Sequence, residues 1–361
     1  MHTGRITAGL LAPFALLSAG GPAGAQDGNA VELVGEFARW EEKRIAESSG
    51  LLWWRDRLIT TNDSGDEAML YVADRTGRET ARLRYADSDP TDVEALALGP
   101  DGTIWVGDIG DNAQQRSTIT VVRVPSPPLD HDDRVSGTRY DLRYPDGPHN
   151  AEALLVHPTT GAFYVVTKAL VGAIYRAPQP LRADGVNALA YVGPAPAIVT
   201  DATFAPGGAQ VYLRGYASLT VLDYPDFTLR ATWPTPAQPQ GEGLANGPDG
   251  TLLASTEGSR SAIQQWRMPP LPARVGATGA SPTSSFPAPT ASPAAAPIAP
   301  ESSAPESSAP EAPGSAAEAR RWRVVAPALA LAVAAAGALG ALRNRRRRGL
   351  LQAARAPGRR C

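Results

Sequence analysis

Two stretches of this sequence repeat an Asp-x-Gly-Asp pattern. TNDSGDEAMLYV (61–72) carries Asp63 and Asp66, and GDIGDN (107–112) carries Asp108 and Asp111. Carboxylates at this spacing can hold a hard cation, share a proton as an acid–base pair, or cap a polar turn. An EF-hand loop does not fit, because counting from Asp63 the third position is Gly65 and the twelfth is Asp74, where oxygen ligands ending in a Glu are needed. The chain has no Gly-rich phosphate loop, no nucleophile elbow, no Cys/His zinc spacing and no dinucleotide fingerprint. A pattern that recurs points to a repeated architecture, and that architecture must position the acids.

The repeat is visible without gaps in EALALGPDGTIWVGD (94–108), EALLVHPTTGAFYVVTK (152–168) and EGLANGPDGTLLASTEG (242–258), where a proline follows the glutamate at the same distance each time. Looser copies are DATFAPGGAQVYLRGY (201–216) and ESSGLLWWRDRLITTNDSGD (47–66). Internal repeats of this length mean a solenoid, a propeller or an array. Short β-branched and aromatic runs such as IWVGD, FYVVT and VYLRG read as strands, and Pro-Asp-Gly and its relatives read as hairpin turns. A third strand follows in each unit and a fourth in the first four (MLYVAD and TARLRY in the first, LTVLDY and TLRATW in the fourth). Four-stranded antiparallel units with no helix between them predict an all-β fold, a β-propeller of five four-stranded blades. A sixth blade fits only inside the longer second unit (94–144), where PSPPLDHDDRVSGT reads as a loop instead. The fifth unit lacks a fourth strand, and VELVGEF (31–37) is expected to supply it from the N-terminal side, closing the ring.

In a propeller the first strand of each blade lines the central channel, so the start of strand one and the end of strand two meet at one rim. The strand-one acids are Glu47, Glu94, Glu152, Asp201 and Glu242, and the strand-two ends are Asp63, Asp108, Lys168, Arg214 and Glu257, or at the last three Thr167, Gly215 and Thr256. Counting symmetrically about the turn at Asp101 sets Asp108 across from Glu94, and Asp63 near Glu47. So many facing carboxylates call for a positive partner. The expected cation site is therefore Glu47, Asp63, Glu94, Asp108, Glu152 and Glu242, with calcium as the ion that suits carboxylate oxygens. Lys168 and Arg214 would hold an anionic ligand beside it, and His149, just ahead of Glu152, would be a ligand or a base. The same residue types also cap backbone N–H groups or pair with hydroxyls of the next blade, so structural, cation-binding and catalytic roles all stay open. Asp130, His131, Asp132 and Asp133 read as a solvated loop, Trp53 and Trp54 as an edge at the opposite end, and Trp105, Trp233 and Trp266 as packing between blades.

The ends of the chain set its surroundings. Residues 1–25, with Arg5, an apolar run and Ala23-Gly24-Ala25, form a signal-peptide pattern. The propeller is assigned to 26–270. A Pro/Ala/Ser-rich linker (271–321) with ESSAPESSAPEAP inside it cannot bury enough apolar surface to fold. The uncharged run within 322–342 is long enough to span a bilayer, and the Arg-rich tail 343–361 places that end in the cytoplasm. The arrangement is similar to a Gram-positive wall-sorting signal, but Leu-Pro-x-Thr-Gly is missing, so a permanent single-pass anchor in the cell membrane is expected, with the propeller outside. Between Asp27 and Glu318, 36 acids are opposed by 22 bases. That balance argues against nucleic-acid binding and favours cations or basic partners. The sole cysteine is Cys361, so the exported part is held by its core and not by disulfides.

The blade pattern resembles secreted β-propeller proteins of actinobacteria, loosely related to phytase-like and WD-repeat-like propellers. The resemblance covers 31–270 and is carried by ESSGL, NDSGD, GDIGDN, NAEALLVHP, VVTK and QGEGLA. It implies the fold well and the chemistry poorly. The expected function is a membrane-anchored extracellular module that binds a ligand or protein. The alternative is a metal-dependent phosphoester hydrolase of phytase-like type, although the catalytic residues of such enzymes do not map one by one onto this chain.

Overall fold

The computed structural model describes residues 29–63, 65–86 and 90–273. The expected signal peptide, nearly all of the expected linker, the expected membrane span and the basic tail lie outside the described residues. Among the described residues no helix is long and apolar enough to cross a membrane.

Strand β1 is Glu32–Arg39. The first blade is β2 to β5 (Ser48–Trp54, Arg57–Asn62, Met69–Ala73, Glu79–Arg84). The second is β6 to β8 (Val93–Leu98, Ile104–Asp108, Ile119–Val124), with β10 (Thr138–Arg143) outermost; the short β9 (Asp133–Arg134) lies in the connection before it. The third is β11 to β13 (Ala151–Val156, Phe163–Thr167, Gly172–Arg176), then β14 (Val186–Ala188) and β15 (Ala190–Ala195). The fourth is β16 to β19 (Val199–Phe204, Gln210–Gly215, Ser218–Asp223, Thr228–Pro234), and the fifth is β20 to β22 (Gly241–Asn246, Leu252–Thr256, Ala262–Arg267). These make five sheets, each running outward from its first strand. The innermost strands β2, β6, β11, β16 and β20 neighbour one another in a closed ring.

The fifth sheet is completed by β1, which pairs antiparallel with β22 from Glu32–Arg267 to Arg39–Ala262. The ring therefore closes through the N-terminal strand, as the missing fourth strand implied, and the described residues form no sixth blade. The longer second unit uses its extra residues differently. Its loop reaches back to the first blade, where β9 pairs parallel with β5, and β14 likewise adds a parallel strand to β10. Two outer edges are thus covered by backbone from the following unit, which removes open pairing surfaces.

Each core lies between adjacent blades. Leu70, Leu83 and Val106 join the first to the second, Leu142, Phe163 and Tyr175 the second to the third, and Val166, Val211 and Leu213 the third to the fourth. Trp233 and Trp266 close the fourth against the fifth, and Trp40, Leu58 and Ile263 the fifth against the first. Burying each such side chain contributes roughly 1.5–3 kcal/mol. The innermost strands are covered on both faces, so they read as continuous apolar and small runs such as VEALAL and AEALLV instead of alternating. Tight turns join them to the second strands. Gly102 and Gly208 take φ of 76° and 75° there, and in the first blade Arg55 and Asp56 take the same left-handed region.

Candidate functional site

Every innermost strand is bulged near its start. The ladder pairs Val93 with Asp108 and Ala95 with Gly107, leaving Glu94 without an opposite residue. Glu152 and Thr200 are left out in the same way in the third and fourth blades. Ser49-Gly50 and Glu242-Gly243 are passed over in the first and fifth. A bulge re-aims the side chain it carries and is a common device beside functional sites. Here it gives a five-membered ring of equivalent positions, Ser49, Glu94, Glu152, Thr200 and Glu242, all buried. The hydroxyls tie the ring together: Ser49 Oγ donates to Glu94 Oε2 at 3.0 Å, and Thr200 Oγ1 donates to the Glu242 carbonyl at 3.4 Å.

A second tier sits one residue beyond the second strands. The N–H of Asp63 donates to the Glu47 carbonyl (2.9 Å), that of Lys168 to Asn150 (3.0 Å) and that of Glu257 to Gln240 (3.0 Å), so the three positions are equivalent. Asp63, Asp92 and Glu94 converge: one carboxylate oxygen from each lies within 4.8 Å of the others. Two ligand oxygens on opposite sides of a calcium ion, each about 2.4 Å from it, are about 5 Å apart, so the trio has the span of a shared hard cation. Gly110 lets backbone pass beside it; a Cβ there would overlap Asp92 Oδ2 and crowd Glu94 Oε1 at 2.8 Å.

The electrostatics match the crowding. Burial, then the Asp63 charge, pushes the Asp92 carboxyl up to about 7. Glu94 is held well above the usual carboxylate range by burial, then by Asp63 and Glu152. Glu152 and Glu242 are also raised, chiefly by burial, with Lys168 pulling against the shift in both. Glu257 rises to about 8 through burial, Glu242 and Asp63. Glu152 and Glu242 belong to non-adjacent blades yet act on one another, and Asp63 acts on both, so all face one channel mouth. Lys168 answers them. Burial opposes its charge, but Glu152 and Glu242 outweigh this and hold the ammonium protonated far beyond its ordinary range. Its Nζ pairs with Glu152 Oε2 and lies 5.0 Å from the centre of the Tyr216 ring.

The other expected site residues are placed differently. Asp108 accepts from the N–H groups of Thr91 (3.1 Å) and Asp92 (2.9 Å) and from Arg116 Nη1 (2.9 Å). Its counterpart in the first blade is Asn62, whose Oδ1 accepts the Glu47 N–H at 3.1 Å, and not Asp63. Glu47 belongs to the same lead-in, one residue before β2. Arg214 is fully buried within the second strand of the fourth blade. Its Nη1 donates to the carbonyls of Gly243 (2.6 Å) and Ser255 (2.7 Å), its Nη2 donates to Gln238, and it stacks 5.0 Å from Trp266. His149 lies in a separate polar-aromatic cluster, with Nε2 3.0 Å from Asp146 Oδ1 and 3.0 Å from the Tyr175 hydroxyl. Asp201 accepts from the N–H of Ala202 (2.8 Å) and of Leu244 (2.6 Å), joining the fourth and fifth blades. Asp92 was not anticipated from the sequence. It precedes Glu94 by two residues in TDVEAL, a spacing that puts both on one face of an extended strand.

No protein-family model matches the chain, and no curated protein matches it either. Among solved structures it is similar to a gluconolactonase from Xanthomonas campestris, with 16% identity and a TM-score of 0.39 over 68% of this chain and 95% of that one. It is also similar to hydrazine synthase of Kuenenia stuttgartiensis, with 15% identity and a TM-score of 0.31 over 47% of this chain and 44% of that one.

Proposed function

We propose that the propeller is a ligand-binding module whose channel mouth takes a divalent cation, calcium by the chemistry of its donors, on Asp63, Asp92 and Glu94. The convergence of these three carboxylates from two blades carries the reading. The buried Glu242 supports it: its Oε2 has no hydrogen-bond partner among the described residues, and it acts on Asp63 across the mouth. The composition of the chain ends supports display outside the cell on a single C-terminal anchor, at the end of the long linker. A binding role is favoured over phosphoester hydrolysis because the two cations that would meet a phosphate are engaged. Lys168 is paired with Glu152, and Arg214 is turned onto backbone carbonyls.

The test is the melting temperature of the detergent-solubilised chain with calcium and with chelator. A ligand at a hundredfold excess over its dissociation constant stabilises by about 2.7 kcal/mol, which shifts Tm by roughly 5–10 °C in a domain of this size. Asp63→Asn with Glu94→Gln should abolish the shift. A calcium shift that survives both substitutions places the ion elsewhere, and no shift in the parent chain removes the reading. Phosphate release from a phosphomonoester panel on the same samples separates binding from turnover.

A further inference from the structure

The second tier of the mouth changes sign around the ring. At one structurally equivalent position the first blade carries Asp63, the fifth Glu257 and the third Lys168. The lysine side chain runs back into the ring, onto Glu152 Oε2, with the face of Tyr216 alongside. It is largely covered there, with 18% of the side chain exposed, in a chain whose only other lysine is Lys43. Glu242 stands near the same ammonium with an oxygen, Oε2, that no donor among the described residues reaches, although only 4% of the residue is exposed. A buried carboxylate oxygen without a donor is strongly unfavourable unless a nearby positive charge compensates it.

We propose that Lys168 is a tethered counter-ion occupying a second cation position in the mouth, between Glu152 and Glu242, and that removing its ammonium opens this position to a divalent metal ion. The inference rests on the reading that the mouth attracts cations, but it uses carboxylates outside the Asp63–Asp92–Glu94 trio. Lys168 thereby sets the stoichiometry. With the ammonium in place, the third-to-fifth-blade side of the ring is internally neutralised, and only the trio is left for an ion from solution. Without it, two buried carboxylates remain on that side, oxygen donors of the kind calcium takes, with water completing its shell.

Equilibrium dialysis of the detergent-solubilised chain with calcium, checked with terbium luminescence, counts the ions. The parent chain should bind one, Lys168→Met two, and Lys168→Arg one. Adding Glu152→Gln and Glu242→Gln to Lys168→Met should return the count to one. An unchanged count in Lys168→Met overturns the proposal. In the Asp63→Asn/Glu94→Gln background the parent count should fall to none, while the further Lys168→Met change should restore one ion. This arm still decides the matter if the parent chain binds none, an outcome that removes the trio reading alone. If Lys168→Met folds only with metal present, its calcium-dependent rise in Tm must exceed that of the parent; an equal or smaller rise counts against the proposal.

Discussion

At the scale of single residues, the mouth separates carboxylates that hold the fold from those that face one another. Asp108 and Asp201 each accept two backbone N–H bonds and bridge segments, whereas Asp63, Asp92 and Glu94 converge. Arg214 belongs with the first group. Burial lowers its pKa to about 10, against the pull of Glu242 and Asp201, and its fork satisfies Gly243, Ser255 and Gln238 at once. Arg214→Met should therefore cost about 3 kcal/mol in urea unfolding by leaving those buried acceptors unmet. Arg214→Lys should recover less than half of that, because one ammonium cannot reproduce the planar fork. Gly110→Ala tests the other group: its Cβ would meet Asp92 and Glu94, so it should shrink the calcium-induced Tm shift by more than half. Glu94, Glu152 and Glu242 were legible from the constant Glu-to-Pro distance, since each stands at the same place in its blade. The first-blade counterpart of Asp108 was not. The bulge sits at a different number of residues from the turn in the first and second blades, so counting from the turn slips by one, and the true counterpart of Asp108 is Asn62.

At the scale of elements, the bulge and the closing strand have separate jobs. The bulge turns one side chain of each innermost strand into the mouth, and β1 keeps the five blades in a ring. Removing 29–39 exposes the β22 edge with Ile263 and Trp266, both fully buried in the intact ring. The truncated chain should lose a single cooperative urea transition followed by tryptophan fluorescence; a sharp transition at an unchanged midpoint would show that closure through β1 is dispensable. Blade number and closure could be read from the sequence because each unit keeps its own turn, and because one unit visibly lacked a strand. The parallel additions β9 and β14 could not be read there. Asp133–Arg134 and Val186–Ala188 are two and three residues long and pair with an earlier blade, so neither periodicity nor turn chemistry marks them. Their anchors are polar instead: Asp132 accepts the Arg82 N–H at 2.8 Å, and Asn187 Nδ2 donates to the Asp141 carbonyl at 3.1 Å.

At the scale of the whole molecule, the gathered acids make stability depend on pH in a direction opposite to that of ordinary ion-paired carboxylates. Asp92 rises from 3.8 to about 7, through burial and then Asp63, and Glu257 from 4.5 to about 8, through burial and then Glu242. A raised carboxyl means that the folded chain binds more protons than the unfolded chain between the two values. The stabilisation from that proton is complete below about pH 4 and is lost as pH climbs through 7 and 8. Glu94 and Glu152 are shifted the same way and reinforce the trend. In chelator, stability should therefore fall by on the order of 2–4 kcal/mol between pH 5 and pH 8, allowing for solvent screening of the gross shifts. Calcium binds the ionised form, so its affinity rises as the acids deprotonate. The difference in Tm between calcium and chelator should grow steadily from pH 5 to pH 8. Melts at four pH values in each condition measure both slopes. A chelator curve that rises toward pH 8 would mean that the acids are paired within their own blades. Asp92→Asn should flatten the chelator curve, since it removes a carboxyl held at about 7.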